Sequence, residues 1–340
     1  MAGIETSPEH CGGLLQSDDV RTGLISGTTF KNKPVQYAAV DGRAIFEGCI
    51  CLGTVEEMEQ KVQAAAAGEQ EMIAHGVAIT GAQYRWDNGI LPYEIDPGLA
   101  NQQRVHDAIA HWTQHTAIRF VERTAANAGQ YSNWVRFIPS DGCWSYVGCR
   151  RQGRQDIGLA SGCGLGATIH EIGHALGLWH EQSREDRDSK VKILWQNIQA
   201  GREHNFNQHI ADGDDIGAYD YDSIMHYPTW AFSKNNQPTI ETIPPGIPIG
   251  QRNGLSAGDI AAIHAIYDLW HHNLTLTRTY TSTDSRNAWA LVQGMGWRRI
   301  EADTTDGVTN TFIACCEALA DNRKIHALLN GEFISRVQLV

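Results

Sequence analysis

The stretch His170-Glu171-Ile172-Gly173-His174-Ala175-Leu176-Gly177-Leu178-Trp179-His180 constrains this chain more than any other. His170 and His174 are four residues apart, so a helix sets both imidazoles on one face, one turn apart. That spacing suits two ligands of a single tetrahedral Zn²⁺. Glu171 falls one step round the same helix. It can reach a metal-bound water without being a ligand, which is the place for a general base. Gly177 permits a left-handed backbone that ends the helix and turns the chain, so that His180 can return as a third ligand. Three protein ligands leave a fourth position open, which is the catalytic rather than the structural arrangement. The plain alternative is a helix with incidental histidines. At roughly one in twenty per position, five fixed positions match by chance in about one chain of this length in ten thousand.

At 340 residues, the chain has room for two or three domains around that helix. Its 42% hydrophobic and 19% charged residues make a globular composition. Lys and Arg number 27 against 39 Asp and Glu, giving −12 with no long basic run, so nucleic acid is not an expected partner. No run approaches 18 apolar residues, so no membrane-spanning helix is expected. The N-terminus lacks a basic start followed by an apolar run, and no signal peptide is visible. Either the chain is cytosolic or a leader has been removed.

Residues 1–40 are Gly- and Ser-rich and read as loop. Thr54–Glu71 has strong helix formers, a Thr start and acids in its first turn, and reads as a helix. Strands are expected at Ile90–Ile95, Ile118–Glu122, Trp134–Ile138, Trp144–Val147 and Ile157–Ala160. Leu99–Thr116 shows a helical face at Val105, Ala108, Ile109 and Trp112. Gly166–Leu178 carries the histidines on a helix. Ser256–Tyr267 reads as a helix capped by Ser256, with Asp259 at the box position. A boundary falls near His271–Asn273. Beyond it, residues 274–340 balance seven acids against seven bases and read as a small β-rich appendage.

The extended histidine motif resembles that of the metzincin peptidases. The continuation Glu181-Gln182-Ser183-Arg184-Glu185-Asp186-Arg187-Asp188 is similar to the astacins in particular, as is Ser223-Ile224-Met225-His226-Tyr227 downstream. Gly142–Gly148 and Tyr84–Tyr93 match further blocks of that family, so the resemblance covers about residues 77–270. It implies an α+β catalytic domain with a twisted, mostly antiparallel sheet, an active-site helix and a zinc cleft between two subdomains. It also implies one Zn²⁺ per chain held by His170, His174 and His180, with Glu171 as the base that activates water against a peptide bond. Tyr227 becomes an additional zinc ligand that swings away and stabilises the oxyanion, and Met225 a hydrophobic floor under the histidines. Glu181 becomes the anchor of a new N-terminus, and Cys143–Cys163 a disulfide. The family's second disulfide is not expected, since Ala117 stands at its first position. The substrates implied are polypeptides, and the implied location is extracellular.

Phe46-Glu47-Gly48-Cys49 resembles the astacin pro-segment motif, whose inhibitory Asp is replaced here by Cys49. A thiolate is a good zinc ligand, so Cys49 is expected to coordinate zinc in a latent form. Cys51, two residues on in an extended segment, faces the same side, and geometry alone does not choose between them; the motif register favours Cys49. Residues 1–76 then form an inhibitory pro-segment, 77–270 the catalytic domain and 271–340 the appendage. The mature N-terminus falls near Val77, released by an activating protease or by autolysis. The competing reading is a catalytically inactive metzincin scaffold that binds proteins or glycans. Cys149 has no assigned partner, and the vicinal Cys315-Cys316 read as buried thiols.

Overall fold

The computed structural model describes residues 13–26, 31–67, 82–208, 215–267, 270–282, 287–300, 305–330 and 333–340. They divide into two compact units, one drawn from residues 1–112 and 119–266, the other from 113–118 and 267–340. Among them, no helix is long and apolar enough to cross a membrane.

The first unit opens with four strands, β1 (Val20–Ile25), β2 (Lys33–Val40), β3 (Arg43–Phe46) and β4 (Ile50–Thr54), followed by helix α1 (Val55–Ala66). This corrects the loop reading of residues 1–40 at Val20–Ile25 and Lys33–Val40. Gly23 lies inside β1 because a Cβ there would stand 2.4 Å from Met58 Cε and 3.0 Å from Tyr37. A glycine that reads as a breaker is instead where α1 packs close against a strand. Thr54 caps α1 in a reciprocal box with Glu57. The helix ends at Ala66, and most of the remainder expected to Glu71 lies outside the described residues.

Next come β5 (Ile90–Ile95), α2 (Gln103–His115), β6 (Arg119–Glu122), β7 (Trp134–Pro139), β8 (Trp144–Tyr146), β9 (Arg154–Leu159) and α3 (Leu165–Ala175). The expected helix at Leu99–Thr116 starts four residues late, after a turn in which Leu99 N–H bonds the Asp96 carbonyl. It buries Val105, Ala108 and Trp112. Short strands β10 (Val191–Ile193) and β11 (Ile240–Thr242) pair with each other, and α4 (Ala257–Tyr267) follows.

The nine strands from β1 to β9 form one sheet, in the order β1-β2-β3-β4-β8-β9-β7-β5-β6. It is mixed rather than mostly antiparallel. The β4–β8, β9–β7, β7–β5 and β5–β6 pairs are parallel and the other four antiparallel. The parallel pairs follow from crossovers such as β5–α2–β6, which a hairpin cannot make. The N-terminal strands are therefore continuous with the sheet through β4, whose Ile50 is in register with Ser145 of β8. Ile25, Tyr37, Phe46, Leu52 and Met58 share one apolar core with Val147.

The second unit holds β12 (Trp270–Leu274), β13 (Leu276–Thr281), β14 (Ala288–Val292), β15 (Gly296–Ile300), α5 (Thr305–Ala320), β16 (Ile325–Asn330) and β17 (Phe333–Leu339). It is β-rich, a six-stranded sheet in the order β12-β16-β17-β15-β14-β13, and it also carries a helix that the sequence reading missed. Val308, Cys315 and Ala318 of α5 are buried against Ala288, Ala290 and Val292 of β14.

Candidate metal centre

α3 is buried almost all round, with His170, Glu171 and His174 each no more than 3% exposed. Its position is fixed from several sides. Trp112 Nε1 donates to the Ile169 carbonyl at 3.1 Å and Trp86 Nε1 to that of Ala175 at 2.7 Å. The buried Arg104 guanidinium holds the carbonyls of Ala160 and Cys163 just ahead of the helix. Gly166 sits so close to Arg252 that a Cβ would stand 1.9 Å from its carbonyl oxygen. The helix stops at Ala175, and Gly177 at φ +105° turns the chain. Among the described residues, chain neighbours apart, no atom lies within 4 Å of a Cβ placed on Gly177, so the backbone angle, and not space, calls for glycine.

The turn brings His180 back. The ring centroids of His170, His174 and His180 are 4.7, 4.8 and 5.3 Å apart. Cys49 Sγ lies 3.5, 3.4 and 3.2 Å from their Nε2 atoms in turn. All four donor atoms fall within 4.8 Å of one another, and all four residues are buried. Zn–S of about 2.3 Å and Zn–N of about 2.0–2.1 Å give a tetrahedral S···N edge of about 3.5 Å. The donor set therefore fits one zinc ion. Every Nε2 can turn to the metal because every Nδ1 is engaged elsewhere: His170 with the Ile224 carbonyl at 2.8 Å, His174 with that of Leu178 at 2.8 Å, and His180 with Glu47 Oε2 at 2.7 Å. Burial also pushes His170 and His174 well below the usual imidazole range, with Arg252 adding to the effect. The neutral ring, the form that binds metal, is thereby favoured.

Of the two candidate cysteines, Cys49 is the one brought to the histidines. Cys51 Sγ faces the Gly53 carbonyl at 3.5 Å and packs with Ile45 and Trp144. Burial raises the Cys49 thiol well above its ordinary range, with nearby Glu171 contributing. Cys49 stands at the end of a left-handed turn, Glu47 at φ +46° and Gly48 at φ +71°. A Cβ on Gly48 would stand 2.8 Å from Phe232 and 2.9 Å from Leu14.

Glu171 lies on the cleft wall, and its Oε2 is buried without a hydrogen-bond partner among the described residues. Burial raises its carboxyl well above the usual range, and Arg252 opposes that. Tyr227 donates its hydroxyl to the Glu47 carbonyl at 2.6 Å. Met225 is buried, and a Cβ on Gly173 would stand 2.8 Å from its Sδ, so the glycine between the two helical histidines lets the methionine approach. Burial drives Glu181 up to about 8, against the Asp220 N–H bond at 2.7 Å and Arg184. The chain terminus assigned to Glu181 lies outside the described residues. Cys143 and Cys163 are disulfide-bonded. Cys149 is a buried free thiol, and Cys11 lies outside the described residues.

Two contributors were not singled out from sequence. In the sequence, Glu47 stands out only as part of the Phe46–Cys49 motif. Asp259 was read only as a cap, yet it also accepts from Ser223 Oγ at 2.6 Å and Ile224 N–H at 3.0 Å. The α4 cap thus fixes the turn whose Ile224 carbonyl orients His170. The cleft has a volume of about 470 Å³ and is walled by Leu14, Cys49, Glu171, Tyr227, Pro228 and Arg252, among others.

A family model described as Astacin, a peptidase family, matches residues 78–268. Blastula protease 10 of Paracentrotus lividus is 42% identical over 192 residues, covering 54% of this chain and 32% of its own. Zinc metalloproteinase nas-13 of Caenorhabditis elegans is 39% identical over 196 residues, covering 56% of this chain and 42% of its own. Among solved structures, high choriolytic enzyme 1, a hatching enzyme zinc-protease from the medaka fish Oryzias latipes, is similar with a TM-score of 0.51 and 36% identity. That match covers 56% of this chain and 98% of the fish enzyme. The chain spans well under half the length of either curated relative, 32% and 42%. The family match takes in 191 of 340 residues and includes all three histidines, Glu171, Met225 and Tyr227: the chain belongs to the astacin family.

Proposed function

We propose that the chain is a zinc-dependent endopeptidase held latent by its own N-terminal segment. Residues 1–76 are the inhibitory segment, 77–270 the catalytic domain and 271–340 an appendage. The observation that carries this reading is the convergence of Cys49 Sγ on three histidine Nε2 atoms, beside a Glu171 oxygen that has no hydrogen-bond partner among the described residues. When bound by the histidines, zinc supplies Lewis acidity toward a peptide carbonyl and toward water.

The remaining work falls to the chain's own residues. Glu171, raised in proton affinity by its burial, takes a proton from the attacking water and passes it to the leaving amine. The Tyr227 hydroxyl, bonded to Glu47 in the intact chain, is released when the segment departs and becomes a donor to the oxyanion of the substrate. Met225 supports the histidine helix from below, and Glu181 receives the ammonium of the new N-terminus. While Cys49 occupies the fourth position, a substrate water has no place there. The substrates are polypeptides and the setting extracellular. Activation comes from another protease or from autolysis.

The test is zinc content together with casein cleavage, before and after limited proteolysis. One zinc per chain, no cleavage by the intact protein and cleavage after trimming are expected. Equal cleavage by intact and trimmed chains would overturn the latency. No cleavage by zinc-loaded trimmed protein would overturn the enzyme reading in favour of an inactive scaffold.

A further inference from the structure

We propose that Glu47 is a positioning residue for the metal: a second grip of the N-terminal segment on the site, acting through His180 and separate from Cys49. This rests on the reading that the three histidines and Cys49 hold zinc.

The three ligand histidines are not held alike. His170 and His174 give their Nδ1 protons to neutral backbone carbonyls, of Ile224 and Leu178. Both acceptors belong to the region matched by the family. His180 gives its proton to a carboxylate, Glu47 Oε2 at 2.7 Å, which lies 133 residues away and outside that region. The other oxygen, Oε1, accepts from Ser183 Oγ at 2.6 Å. Glu47 is 0% exposed. A buried carboxylate and a non-glycine residue at positive φ are both unfavourable unless the surroundings compensate, and His180 and Ser183, both beside the metal site, contribute to that compensation. A carboxylate acceptor fixes an imidazole's tautomer and orientation and makes its other nitrogen a better donor.

Charge points the same way. Three neutral imidazoles leave the +2 of zinc uncompensated in a buried site. The Cys49 thiolate and the Glu47 carboxylate, two residues apart on one turn, supply two negative charges. The segment therefore tightens zinc, and by linkage zinc tightens the segment. When the segment leaves, the metal loses a ligand and His180 loses its charged acceptor in one step.

The test uses the full chain, with zinc affinity measured by chelator competition and the site read from the absorption of the Co²⁺-substituted protein. Glu47→Leu should weaken zinc affinity about 10–100-fold. Glu47→Gln, which keeps an acceptor but loses the charge, should fall between that and the native chain. Its Co²⁺ ligand-field bands should shift, which a role in folding alone would not produce. The thiolate-to-cobalt charge-transfer band should survive in both variants. The loss from Glu47→Leu should recur in a Cys49→Ala background. Affinity within twofold of native for Glu47→Leu overturns the proposal. Should that variant not fold, native affinity together with unshifted bands in Glu47→Gln overturns it equally. Absence of the charge-transfer band from the native chain would instead overturn the Cys49 ligation, a result distinguishable from the first.

Discussion

Replacing Gly166 by alanine puts two opposed effects in competition. Gly166 lies in the first turn of α3, one helical turn before His170. In an exposed helix, Gly→Ala stabilises by about 1 kcal/mol through the smaller backbone entropy loss. Here the new Cβ would stand 1.9 Å from the Arg252 carbonyl oxygen, 2.6 Å from its Cβ and 2.7 Å from its carbonyl carbon. Two of these three atoms are backbone, so no rotamer change relieves the contact. α3 and the Arg252 segment must move apart by more than 1 Å. Overpacking of this kind costs about 3 kcal/mol at the upper end of its usual range. The net expectation is a destabilisation of about 2 kcal/mol, the reverse of the propensity effect. Urea unfolding of the metal-free protein checks it through a lower midpoint at unchanged slope. Because α3 carries two of the ligands, zinc affinity should fall as well. A Gly166→Ala protein as stable as the native one, or more so, with native zinc affinity, would refute the packing argument.

Glu171→Gln should keep zinc but lose about 10²–10⁴-fold in casein cleavage after trimming; near-native cleavage would remove Glu171 as the base. Ser256→Ala removes the hydroxyl that accepts from Asp259 N–H at 2.9 Å and donates to Asp220, and should cost about 1 kcal/mol in unfolding free energy. Cys315 is pushed up to about 12 by burial, with Cys316 adding. Its folded pKa is therefore above the unfolded one, so the stability gained by keeping the thiol neutral is complete below about pH 8.5 and declines as pH rises toward 12. Iodoacetamide at pH 8 should leave Cys315 unlabelled in folded protein and label it in urea; rapid labelling of folded protein would contradict the burial.

The site was more legible in the sequence than the fold around it. The histidine helix shows itself because four-residue spacing and a positive-φ glycine are local properties. The capping exchanges of Thr54 with Glu57 and Ser256 with Asp259 are visible for the same reason. The role of Glu47 is not local. Its carboxylate acquires a function only through His180 and Ser183, more than 130 residues on. β1 was hidden by Gly23, which serves the packing of Met58 rather than a turn. α5 was hidden by weak helix formers such as Val308, Thr309, Thr311 and Ile313, although Val308, Phe312 and Cys315 do follow a helical spacing. The parallel pairings of β5, β6, β7 and β9 depend on which strands the crossovers bring together, and strand patterns alone do not encode that.

Zinc K-edge X-ray absorption on the intact, zinc-loaded chain reads directly whether Cys49 is bound to the metal. Three nitrogen scatterers at about 2.0–2.1 Å and one sulfur at about 2.3 Å are expected, with the sulfur lost in Cys49→Ala and kept in Cys51→Ala. A shell of nitrogen and oxygen alone in the native intact chain would contradict it.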